Sequence, residues 1–196
     1  MSQRHSDTAL LDAARACVAE RGIGRTTVAD VARRAGASRM TVYRTFPDAA
    51  TLWSSLLTRE VGMIVTDAQA TAAALPSARE RLIEATTRAV VALRNDPVIR
   101  RVIELDGERL LPYLTTRRGH AQEIAIAAVR EYLRAGRRDG SIREVHGDAV
   151  ARLFELVVRS LVTASPALID DPATPAIDAE LRLMLDAWLR PSETTR

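Results

Sequence analysis

The sequence predicts an all-α protein, and three observations carry that prediction. Apolar residues recur at three- and four-residue spacing almost throughout, and no stretch alternates with the two-residue period of a strand. Gly, Pro and hydroxyl–acid capping signals punctuate the chain at helix-length intervals. The expectation is about nine helices, with a three-helix unit over residues 1–52 and a longer helical bundle over residues 53–196.

The first helix is expected over residues 6–21, with Leu10, Leu11, Ala14, Cys17 and Val18 on one stripe and Gly22 as its stop. Thr26 or Thr27 caps a short second helix carrying Val28, Val31, Ala32 and Ala35. Gly36 ends that helix, and Ser38 caps a third that runs to about Thr45. Pro47-Asp48 opens a long helix over residues 49–74. After Pro76, Ser77 and Glu80 form a capping-box pattern ahead of Leu82, Ala89, Val90 and Leu93. Asn95-Asp96-Pro97 separates that helix from the next, whose stretch from Gly107 to Tyr113 reads as broken at Pro112. A helix over residues 117–138 follows, and Asp139-Gly140 turns the chain. Two last helices, over residues 148–164 and 177–189, are joined by a Pro/Asp loop.

Those last two helices have apolar faces wider than the roughly 100° stripe that one core requires. Val150, Leu153, Phe154, Val157 and Leu161 on one, and Leu181, Leu183, Met184, Leu185 and Trp188 on the other, imply a second buried face. A homodimer formed through these two helices is the expectation.

Composition narrows the class. The 196 residues are 47% apolar and 27% charged, the balance of a soluble globular chain. No apolar run approaches the roughly 18–20 residues needed to span a bilayer, and "MSQRHSDTALL" lacks the apolar core of a secretory signal. A cytoplasmic location is expected. Cys17 is the only cysteine, so an internal disulfide is excluded and a buried structural thiol is expected. All 28 basic residues are arginine. Residues 1–50 hold 8 Arg against 5 Asp and Glu, whereas residues 51–196 hold 20 of each, so the net charge of +3 belongs to the N-terminal unit. A basic end on a neutral body points to a polyanionic partner.

"TTVADVARRAGASRMTVYRTF" has the layout of a helix-turn-helix. Ala32 is small where two helices approach, Gly36 supplies the left-handed turn, and Val42 returns as the core contact of the second helix. With Val42 inward, Arg39, Met40, Tyr43 and Arg44 project outward. Arg39 is suited to bidentate bonding with guanine, Thr41 to a base edge and Met40 to a thymine methyl. Thr27 and Ser38, at helix N-termini, and Tyr43 and Arg44 are suited to phosphates.

This segment, from Thr26 to Trp53, resembles the signature of the tetracycline-repressor (TetR) family of bacterial transcription regulators. Thr27, Val31, Ala32, Ala35, Gly36, Ser38, Thr41, Val42, Tyr43, Phe46 and Leu52 fall on it. The resemblance implies a homodimeric DNA-binding regulator, usually a repressor, released from a palindromic operator by a small-molecule effector. It departs from the family pattern at Met40, where a small residue is usual, and at Ala49, where a phosphate-binding lysine is usual. A constitutive architectural DNA-binding protein is the alternative, although it has no need of a neutral body of this size.

Other chemistries find little support. His5, His120 and His146 lack metal-ligand spacing, so no metal or cofactor is expected. Ser54, Ser55 and Ser160 have no His or acid partner nearby in sequence that suggests a nucleophile, and the chain is read as a non-enzyme. Glu104 and Tyr113 flank the helix break at Gly107, a place suited to an effector cavity. Met63 and Phe154 join them as candidate cavity walls through the family resemblance.

Overall fold

The computed structural model describes residues 2–115, 119–168 and 171–192, and the side chains of all of these except residues 2–6, 109–115 and 165. Ten α-helices occupy the described residues, and no strand occurs among them. In chain order they are α1 Ser2–Arg21, α2 Val28–Arg34, α3 Arg39–Thr45, α4 Ala49–Ala72, α5 Ala78–Asn95, α6 Pro97–Thr115, α7 His120–Arg138, α8 Gly147–Thr163, α9 Ser165–Leu168 and α10 Thr174–Leu189.

Nine of these match the expected helices, and their punctuation is chemical. Gly22, Gly36 and Gly140 all take positive φ, at 77°, 63° and 73°, where a Cβ is strongly disfavoured. The Ser77 hydroxyl and backbone amide both donate to Glu80 Oε2, while the Glu80 amide donates back to Ser77 Oγ, so the capping box forms as expected. Several details differ, among them a start of α10 at Thr174, three residues early. α1 begins four residues earlier than residue 6, and α9 is an additional turn in the Pro/Asp loop. The α6 helix continues through Pro112, and its distortion falls instead at Asp106, with φ −125° and ψ 23°.

Two compact units result, each with its own core. The first comprises residues 1–60 and 95–121, so α6 joins the helices expected to bind DNA. The second comprises residues 61–94 and 122–196. By compactness the chain therefore divides inside α4, while the boundary at residue 52 is an expectation about function.

In the first unit Leu10, Ala14 and Val18 of α1 meet Val31 and Ala32 of α2, Val42 of α3 and Leu52 of α4. Val98 and Val102 of α6 complete the same core. Arg15 binds this unit together electrostatically. Its Nε donates to Glu60 Oε2 at 2.8 Å and its Nη2 to Asp96 Oδ2 at 3.2 Å. Glu60 is almost fully buried and also receives Arg59, so the carboxylate is compensated twice. Asp96 in turn accepts the amides of Val98 and Ile99 and so caps α6.

In the second unit Leu82, Ile83 and Val90 of α5 pack with Ile126 and Leu133 of α7, Phe154 of α8 and Leu181, Leu185 and Leu189 of α10. The rings of Phe154 and Trp188 stack with centroids 5.4 Å apart. Arg143 donates from its backbone to the Leu189 carbonyl and from Nε to the Trp188 carbonyl, satisfying orphan carbonyls at the end of α10. Cys17, as expected, is buried and free.

No helix among the described residues is long and apolar enough to cross a membrane. No group of three or more metal-ligating side chains occurs among them.

Candidate nucleic-acid interface

The reading surface is assembled on seven residues. Ser38 Oγ accepts the Thr41 amide at 3.0 Å and starts α3, and it lies 2.9 Å from Thr41 Oγ1. If the Thr41 hydroxyl donates across that contact, the Ser38 hydrogen is left for an anionic acceptor. Val42 is fully buried and Phe46 nearly so, four residues apart on the inward face. The opposite face carries Arg39, Met40, Tyr43 and Arg44, all exposed, with Met40 75% and Tyr43 44% accessible. Thr41 is half-buried between the two faces. The outward side chains thus follow the three- and four-residue spacing expected of them.

The hinge between α2 and α3 explains why the helix sits still. Ala35 donates to the Val31 carbonyl at 2.9 Å, and Ala37 donates to the Ala32 carbonyl at 2.9 Å across Gly36. Any L-residue in place of Gly36 would strain this turn, although open space surrounds the position.

Charge is distributed unevenly over the first unit. Arg15, Arg21, Arg33, Arg34 and Arg59 all have carboxylate partners. Arg25, in the loop leading to α2, and Arg39 and Arg44 have none among the described residues. Among the described residues of this unit, the arginines without carboxylate partners therefore lie on and beside the helix-turn-helix.

Thr27 behaves differently from a free phosphate donor. Its backbone amide and its hydroxyl both donate to Asp30 Oδ2, at 3.0 and 2.7 Å, while its oxygen accepts the Asp30 amide. Together with Arg33, these bonds hold the Asp30 carboxyl down at about 2. A phosphate would have to exchange with Asp30 to engage Thr27. The Thr27-x-x-Asp30 spacing contained this capping box, which the sequence reading passed over in favour of Thr27 alone.

At the start of α4, Asp48 Oδ1 accepts the Thr51 amide at 2.7 Å, a bond that lowers the Asp48 pKa. Ala49 packs on the apolar core beside it. This helix end presents a carboxylate and a methyl where the family pattern has a lysine.

Of the candidate effector residues, Glu104 belongs to the first unit and Met63 and Phe154 to the second. Met63 is 60% exposed, and Phe154 is buried against Trp188. Glu104 pairs with Arg100 and Arg101 at the surface of the first unit. The Tyr113 side chain lies outside the described residues. The second unit does contain an open groove of about 530 Å³, lined by Ile64, Ala68 and Val91 together with Asp67, Arg88 and Arg182. Met63, Glu104 and Phe154 are not among its described lining residues.

A buried-faced short helix, held by a glycine turn and presenting unpaired arginines, defines a helix-turn-helix DNA-binding regulator. The model of the tetR family of bacterial regulatory proteins matches residues 10–52. An uncharacterized HTH-type transcriptional regulator of Mycobacterium bovis is 30% identical over 191 residues, covering 96% of this chain and 98% of the relative. The chain belongs to the TetR family. Among solved structures, the fatty acid degradation regulator FadR from Bacillus halodurans has a TM-score of 0.68 at 19% identity, covering 93% of this chain and 99% of that one. FadR from Bacillus subtilis, solved in complex with stearoyl-CoA, has the same TM-score at 17% identity, with the same coverage.

Proposed function

We propose that the protein is a homodimeric repressor that binds a palindromic operator through α3 and leaves it when a small molecule occupies the second unit. The observation that carries the reading is the outward face of α3, where Arg39 and Arg44 remain without ion-pair partners among the described residues while Val42 and Phe46 anchor the helix. On this reading Arg39, Met40 and Thr41 face base edges. Ser38, Tyr43 and Arg44 face phosphates, and Thr27 acts chiefly as the cap of α2.

Exposed leucines support the dimer. α8 and α10 bury Phe154, Leu181 and Leu185 on one side and leave Leu153, Leu156, Leu183 and Met184 between 47% and 61% exposed. A second copy covering these residues places two reading helices on one DNA face, about one helical turn or a multiple apart. The groove over Ile64 and Val91 suits an amphipathic effector, whose acidic group would exchange with Glu84 for Arg88 and Arg182. Acyl-CoA esters belong among the first compounds to try, because the Bacillus subtilis neighbour holds one. Repression places the protein with the DNA, in the cytoplasm.

Selection from a random duplex library, followed by footprinting, tests the reading. A palindromic site protected at micromolar or lower protein concentration is expected. Protection without sequence preference favours an architectural protein instead, and a dimer that shifts no DNA at low salt rejects both.

A further inference from the structure

The turn between α1 and α2 is held from an unexpected direction. Asp106, in the interior of α6, sends its carboxylate into this turn, where Oδ2 accepts the Ile23 amide at 2.7 Å and Oδ1 accepts the Gly24 amide at 2.8 Å. Each oxygen takes one of two successive amides, in a site where Asp106 is only 6% exposed. The geometry leaves no slack. A Cβ on Gly22 would lie 2.8 Å from the same Oδ2, and Gly22 is at φ 77° besides. One turn earlier on α6, Arg101 Nε donates to the Ala19 carbonyl at 3.2 Å. α6 therefore supplies a donor to the last carbonyls of α1 and an acceptor to the amides that follow them.

The turn leads directly to the reading unit. Thr26, buried, donates through its hydroxyl to the Gly22 carbonyl at 2.6 Å, and its amide donates to the Ile23 carbonyl. Thr27 then caps α2, and α2 sets α3 through the Ala32–Ala37 hydrogen bond. Asp106 is also the one residue of α6 with non-helical φ and ψ, so the distortion of α6 falls at the residue whose carboxylate holds the turn.

We propose that Asp106 is a positioning residue for operator recognition, a pin by which α6 sets the start of α2 and hence the pose of α3. This rests on the helix-turn-helix reading above. Straightening α6 at Asp106 withdraws the carboxylate, frees the buried Ile23 amide and the Gly24 amide and releases the turn, which makes the bend a point at which operator affinity is adjusted.

The test compares wild type, Asp106→Asn and Gly22→Ala on two duplexes: a site enriched from a random library by wild type, and an unrelated sequence. Both are titrated by fluorescence anisotropy across a salt series, with thermal melting of each protein. An asparagine keeps one acceptor but turns an N–H₂ toward the second amide, and the alanine methyl displaces the carboxylate from the other side. Both folded variants are expected to lose at least tenfold in enriched-site affinity. Affinity for the unrelated duplex and the salt slope should change little, since the phosphate-facing arginines are untouched. A purely structural role would lower the melting temperature and leave the ratio of the two affinities unchanged, and that result overturns the proposal. Hydrogen exchange on wild type covers the case in which neither variant folds. Slow exchange at Ile23 and Gly24 supports the pin, and exchange at the rate of an open loop rejects it. A wild type that enriches no sequence overturns the helix-turn-helix reading and the pin with it. An enriched site bound equally by Asp106→Asn removes the pin alone.

Discussion

Val42 and Arg39 lie three residues apart on α3 and have opposite tasks: one is wholly buried, the other exposed. That division makes Arg39 replaceable without loss of fold. Arg39→Ala should relax preference at one operator position at a cost of about 1–3 kcal/mol, read from binding to operators varied base by base. Equal losses on every sequence would reassign Arg39 to a phosphate. Asp30 makes a prediction of a different kind. Its carboxyl titrates at about 2 against an ordinary 3.8, because Thr27 and then Arg33 hydrogen-bond the ionised form. Stability from this group is therefore present above pH 4 and is lost as the pH falls toward 2. Urea midpoints of wild type should decline over that window, and Asp30→Asn should flatten this part of the decline; parallel curves would show that Asp30 contributes nothing. Thr27 and Asp30 were both visible as a spacing, yet the spacing did not say that the cap consumes the donors a phosphate would use.

At the scale of elements, the termini of helices were the most legible features. The box at Ser77 and Glu80, the turns at Gly22, Gly36 and Gly140, and the cap at Ser38 all use hydrogen bonds that span a few residues, so local spacing specifies them. The distortion of α6 was misplaced for the opposite reason. Pro112 looked like the breaker, but the helix bends at Asp106, whose partners are 82 and 83 residues away in sequence. α7 offers a check on packing. Gly136 is buried within it, and a Cβ there would lie 2.3 Å from Ile142 Cδ1. Alanine normally favours a helix over glycine by about 1 kcal/mol, yet here overpacking should win and Gly136→Ala should destabilise by about 1–3 kcal/mol in chemical denaturation. A more stable variant would mean that Ile142 moves aside freely.

For the whole molecule, the open question is what covers the outer faces of α8 and α10. Leu153 and Met184 are each 47% exposed, and neither belongs to the buried core of the second unit. Leu153→Glu combined with Met184→Glu should leave the subunit folded by circular dichroism, turn a dimer into a monomer by light scattering, and reduce operator affinity more than tenfold. The affinity loss follows because two half-sites are then bound independently rather than together. A variant that remains dimeric would place the interface elsewhere. The wide apolar stripes of these helices were legible as having two faces. Which face was inward was not legible, because a stripe records hydrophobicity and not the neighbour that covers it.

By itself, the sequence determined the all-α class, the helix-turn-helix between Thr27 and Phe46, the inward turn of Val42 and the family. These depend on periodicity and on short-range capping, and both are written in neighbouring residues. Only the tertiary structure decided that Phe154 stacks on Trp188. It also decided that α6 shares a core with the reading helices and reaches their first turn through Asp106. Those outcomes depend on which groups meet when distant segments fold together, and a carboxylate in mid-helix carries no local mark of the amides it will find.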